Sequence, residues 1–150
     1  MNPTENIPWL AITKPATKKI IYDLTNKNIT NSDIAVLMFI VQKMNLTNEY
    51  KSPTQEELIK KLQLSKHRLS VAYTNLKSNG YFLKINKSKT YIVNPYLFYI
   101  GSTKFLSAKR NKWDKLWNKY TQEMTDKNKK INIELEKFFK NQNSIFEDTI

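Results

Sequence analysis

Side chains able to do covalent or metal chemistry are almost missing from this 150-residue chain. It has no cysteine, and His67 is its single histidine, so zinc sites, thiol nucleophiles, iron-sulfur ligation and a metal held on paired histidines all lack their ligands. The two glycines, Gly80 and Gly101, are too far apart to make a glycine-rich phosphate loop. This inventory argues against an enzyme and calls for no cofactor and no metal. What remains is charge. The formal net charge is +12 and is unevenly spread: from Leu58 to Trp113 there is no Asp or Glu but there are twelve Lys and Arg, whereas the rest balances thirteen bases with thirteen acids. A folded surface without carboxylates carries a positive potential, and a polyphosphate backbone is the commonest partner for such a field. A lysine-rich solvated face would show the same composition, so the pattern of the other side chains has to decide.

Residues 65 to 79 supply that pattern. Ser65 is placed to cap a helix beginning at Lys66, and Gly80 stands where a helix end wants a left-handed residue. At about 100° per residue, Leu69, Ala72 and Leu76 share one face, with Tyr73 at its margin. The opposite face carries His67, Ser70, Val71, Thr74 and Ser78, flanked by Lys66, Arg68, Asn75 and Lys77. Short polar groups, one methyl-bearing side chain and bases suit a helix that enters a major groove about 12 Å wide. Arg68 can fork to a guanine or a phosphate, Val71 and the Thr74 methyl can touch thymine methyls, and His67 can donate to a phosphate or accept from a base. Lys66, Lys77 and the amide end of the helix suit phosphate.

The elements around this helix have an order of their own. The amino-terminal stretch, with Pro3, Pro8 and Pro15, begins irregularly, and the alternation Lys19 to Leu24 predicts a short edge strand. Ser32 is a candidate cap for a helix from Asp33 to Met44, apolar almost all round and therefore expected at the centre of the fold. After a polar loop ending at Ser52-Pro53, Thr54-Gln55-Glu56-Glu57 has capping-box form and predicts a helix to about Leu62. Tyr81 to Ile85 and Thr90 to Val93 then read as strands around a basic turn, so Lys84, Lys87 and Lys89 would lie beside the backbone or minor groove of an adjoining duplex turn. A basic hairpin tip also guards an exposed edge against aggregation. Helix, helix and hairpin in that order predict a winged helix-turn-helix, mainly α with a small β-hairpin. Beyond Ser102 there is neither Gly nor Pro, and one kinked helix or two helices are expected. Trp113, Leu116, Trp117, Tyr120 and Met124 fall on one face there and are the candidate dimerisation residues. A second apolar set, Ile131, Leu135, Phe138 and Phe139, follows after a polar interruption from Thr125 to Lys130. The expected organisation is a DNA-binding domain with an amino-terminal arm over 1–101 and a helical extension over 102–150.

From Asn79-Gly80-Tyr81 through the hairpin to Asn94-Pro95 and Gly101, the sequence resembles the RepL family of plasmid replication proteins of Gram-positive bacteria. In that family a winged helix-turn-helix ends in a strand followed by Asn-Pro, a few apolar residues and Gly; the likeness extends over roughly residues 32 to 125. The resemblance implies an initiator that binds double-stranded DNA at its own plasmid origin and helps recruit host replication proteins. A winged helix serves a transcriptional repressor or copy-control regulator on an operator equally well. No apolar run reaches bilayer-spanning length, and a cytoplasmic homodimer is the expected state.

Overall fold

The computed structural model describes residues 9–85, 88–101 and 103–148, with side chains described up to 137 and at 140. It is mainly helical with two small antiparallel sheets. In chain order the elements are β1 (Leu10–Ile12), α1 (Lys14–Thr25), α2 (Asn31–Lys43), β2 (Glu49–Lys51), α3 (Gln55–Leu62), α4 (Lys66–Ser78), β3 (Phe82–Lys84), β4 (Thr90–Val93), β5 (Phe98–Ile100) and α5 (Leu106–Asp148). One sheet has the order β2-β4-β3 and the other pairs β1 with β5. The chain divides into two compact units, Met1–Asp114 and Lys115–Ile150.

The strand expected over Lys19 to Leu24 is instead part of α1. Pro15 in the first turn presets the helical φ, and the Thr13 hydroxyl accepts from the Ala16 amide at 3.2 Å. Ala16, Ile20 and Leu24, four residues apart, then turn to the core, while Ile21 and Tyr22 stay 65% and 63% exposed. The local alternation was therefore a helix with apolar residues on both sides. The cap of α2 is Thr30 rather than Ser32: its hydroxyl accepts from Asp33 N, and the Asp33 carboxylate accepts from Thr30 N at 2.9 Å. The helix is as central as expected, with Val36, Leu37, Ile40 and Val41 buried.

Thr54 and Ser65 cap α3 and α4 as the sequence implies, accepting from Glu57 N at 3.3 Å and Arg68 N at 3.1 Å. Gln63, in the left-handed region, ends α3, and Gly80 at φ +79° lets the chain leave α4 straight into β3. The hairpin forms at the expected positions, with Phe82 opposite Val93 and Lys84 opposite Tyr91. Strand β2 adds to its far side, Tyr50 facing Tyr91, although its residues read as a polar loop. Fully buried Asn48 anchors it: its side-chain amide donates to the carbonyls of Val93 at 3.1 Å and Phe98 at 2.7 Å, and its carbonyl accepts from Val93 N at 2.8 Å. The second sheet, β1 with β5, was likewise not foreseen.

The carboxyl third is one helix, α5, without the break considered around Thr125 to Lys130. Its first turns belong to the first unit, where Leu106, Lys109 and Trp113 are buried. Burial lowers the Lys109 pKa, and its ammonium donates to Asn48 Oδ1 at 3.3 Å.

Candidate nucleic-acid interface

Three helix residues, Leu69, Ala72 and Leu76, are buried against the core, which turns the other face of α4 outward. Ser65, Lys66, His67, Ser70 and Thr74 are exposed there, and Val71 and Lys77 are half-buried. Lys84 on β3 and Lys89 just before β4 are exposed too, while Lys87 lies outside the described residues. Of the predicted contact residues, Ser70, Thr74, Lys77, Lys84 and Lys89 line one groove of about 450 Å³ between α4 and the hairpin. Helix and hairpin thus contribute to a single cationic concavity. Lys66, His67 and Val71 sit on the outward face of α4 beyond it.

Sequence reasoning missed the floor of the groove. Tyr73, Phe82 and Tyr91 meet edge to face there, with ring centroids 5.0 to 5.7 Å apart. The Tyr73 hydroxyl is 3.0 Å from that of Tyr50 and 3.2 Å from Ser52 Oγ, and Ser52 N donates to the Lys89 carbonyl at 3.0 Å. Burial first, and the neighbouring Tyr73 second, raise the Tyr50 pKa well above its ordinary value, so this hydroxyl stays protonated. The floor therefore fixes the angle between helix and hairpin without supplying charge. Its only signal in the sequence was Tyr73 at the margin of the apolar face.

Arg68, another of the predicted contact residues, is half-buried and turns toward α2. Its Nη2 donates to Asp33 Oδ1 at 3.0 Å and also to Thr30 Oγ1, and Asn75 Nδ2 donates to Asp33 Oδ2 at 3.0 Å. Asp33 is fully buried, and its carboxylate is satisfied by these donors together with Thr30 N. A guanidinium paired with a buried carboxylate ties α4 to α2.

A second buried carboxylate secures the far end of α4. Tyr81, directly after Gly80, donates to Asp23 Oδ2 at 2.6 Å, and Asn28 Nδ2 and Lys19 Nζ reach the same carboxylate at 3.0 and 3.1 Å. Burial alone would raise the Asp23 pKa; the Tyr81, Asn28 and Lys19 contacts outweigh it and hold it below the ordinary carboxylate value. Asn94 closes the hairpin by donating from its side chain to Gly80 O at 2.9 Å and accepting from Tyr96 N at 2.9 Å. Gly101, at φ +76°, donates its amide to Trp9 O at 3.1 Å, in a backbone conformation that favours glycine. The Asn-Pro to Gly stretch therefore does architectural work: it ends the hairpin and launches β5.

Among the described residues no cluster of His, Asp and Glu could hold a metal, and no helix is long and apolar enough to cross a membrane. No family model matches the chain, and neither the curated proteins nor the solved structures contain a match to it.

Proposed function

We propose that this chain binds double-stranded DNA through a winged helix-turn-helix, with α4 as the reading helix and the β3-β4 hairpin as the wing. The observation that carries the proposal is the groove in which Ser70, Thr74 and Lys77 of α4 face Lys84 and Lys89 of the hairpin, within a stretch free of carboxylates from Leu58 to Trp113. The order α2, β2, α3, α4, β3, β4 and the sheet order β2-β4-β3 support the winged assignment. Base selection then falls to Ser70, Val71, Thr74 and His67, and the lysines neutralise phosphates. The likeness of Asn94 to Gly101 to RepL-type proteins extends the proposal to an initiator that acts in the cytoplasm on a plasmid origin and engages host replication proteins.

Titration of the full chain with labelled duplex at increasing salt tests the binding. The expected result is an association constant that falls steeply, with a log-log slope of about −0.9 per phosphate contacted. A constant that stays flat from low to moderate salt overturns the proposal. Footprinting across the coding region and its flanks tests the initiator role: protection of a replication origin is expected, and protection confined to a promoter makes the protein a repressor.

A further inference from the structure

A second concavity, of about 640 Å³, belongs to the first unit and shares no lining residue with the groove of α4 and the hairpin. It lies where the loop before β2, the strand β5 and the first turns of α5 meet. Leu46, Ile100, Phe105 and Ala108 give it apolar surface, and Glu49, Lys109 and Lys112 its charges. Leu46 and Phe105 are 67% and 63% exposed, so apolar area is left uncovered here. Small-molecule sites have this make-up, mostly apolar with a few polar groups that fix orientation. The charges, however, do not balance. Glu49 is answered by Lys112, whose Nζ is 2.8 Å from Oε1. Lys109 is left over. It alone among the lining residues is buried, at 9% exposure, and among the described residues no carboxylate pairs with its ammonium. It donates instead to a neutral oxygen, Asn48 Oδ1 at 3.3 Å, on a side chain already fixed by its bonds to the Val93 and Phe98 carbonyls. An ammonium has three donors, and a buried cation without a counter-charge is costly.

We propose that this concavity binds an apolar monocarboxylate, with its carboxylate on Lys109 and its hydrocarbon part along Leu46, Ile100, Phe105 and Ala108. One negative charge is what the lining needs, because two ammoniums against one carboxylate leave a surplus of a single cation. A carboxylate accepts from the Lys109 donors that Asn48 leaves free, and the contact is strengthened where water is displaced. A neutral hydrocarbon would leave Lys109 without its counter-charge, and a hydrocarbon cation would add to the surplus. A nucleic-acid backbone fits poorly, since the same lining is apolar and includes Glu49. The inference does not depend on DNA binding.

Calorimetric titration of the full chain with decanoate and, separately, with decanol tests the site. Decanoate should bind saturably and about 10-fold or more tighter than decanol, the difference being a charge-assisted contact. Lys109→Met keeps the length of the side chain and removes the ammonium. It should weaken decanoate binding by about 10-fold or more and leave decanol within about 3-fold. Ala108→Trp, at an exposed position, fills the concavity without touching its charges and should abolish binding of both. Melting curves establish that each variant is folded, and if Lys109→Met is not, Ala108→Trp and the comparison of the two probes decide. No saturable binding of decanoate, equal affinity for decanoate and decanol, or decanoate binding unchanged in either folded variant overturns the proposal.

Discussion

The two units of the chain solve opposite problems. Met1–Asp114 carries 18 Lys and Arg against seven Asp and Glu, whereas Lys115–Ile150 carries seven against six. The basic unit buries two carboxylates and one amide, where Asp33 holds Arg68, Asp23 holds Tyr81, and Asn48 takes Lys109. The near-neutral unit has its described charged residues, of both signs, exposed. Excess charge of one sign suits a surface that meets a polyanion and repels its own copy. The difference teaches that excess positive charge and balanced charge are assigned to separate stretches of one chain.

The largest expected contrast is in the cost of truncation. Phe82→Ala, in the core beneath the groove, should lower stability by about 3–5 kcal/mol, whereas Ile133→Ala, 53% exposed, should change it by no more than about 0.5 kcal/mol. Urea unfolding of both variants measures this, and equal costs would erase the distinction between a packed unit and an uncovered helix.

Within the basic unit, Arg68 and Thr74 should separate architecture from reading. Arg68→Ala leaves Asp33 buried without its cation and should cost about 2–3 kcal/mol of stability, while the ratio of specific to random DNA affinity stays unchanged. Thr74→Ala should do the reverse, holding stability within about 0.5 kcal/mol and losing about 1 kcal/mol or more of discrimination. Paired melting and binding measurements check both. A loss of discrimination in a fully folded Arg68→Ala protein would return Arg68 to the reading set.

Replacing Lys77, Lys84 or Lys89 with Ala should reduce the salt slope of DNA binding by about 0.9 each, whereas Lys129→Ala, in the second unit, should leave the slope unchanged. Equal effects would move the anionic partner off the groove.

The smallest effect is one of pH. Asp23 is held below its ordinary value in the folded state, so the stability it contributes is present above the unfolded carboxylate pKa and is lost as pH falls through the folded one. Asp23→Asn should therefore be less stable at neutral pH and should show a shallower loss on acidification. Melting temperature followed from pH 7 downward, flagged at about pH 4 where free carboxylates protonate, measures it.

The sequence by itself determined whatever depends on neighbours a few residues apart. The caps at Thr54 and Ser65, the left-handed exit at Gly80, the apolar face of Leu69, Ala72 and Leu76, and the return strand from Thr90 to Val93 are local statements of spacing and side-chain type, and the structure has them where the pattern puts them. Tertiary structure alone decided the rest. Strand β2 and the β1-β5 pair are three residues long and exist because distant strands offer them hydrogen-bond partners, not because their own residues alternate. The role of Arg68 depended on a buried carboxylate, Asp33, far away in the chain, and the burial of Trp113 on packing within the first unit. A helical wheel shows which residues share a face; which neighbour comes to that face, and whether its charge is already answered there, is settled only by how the helices pack.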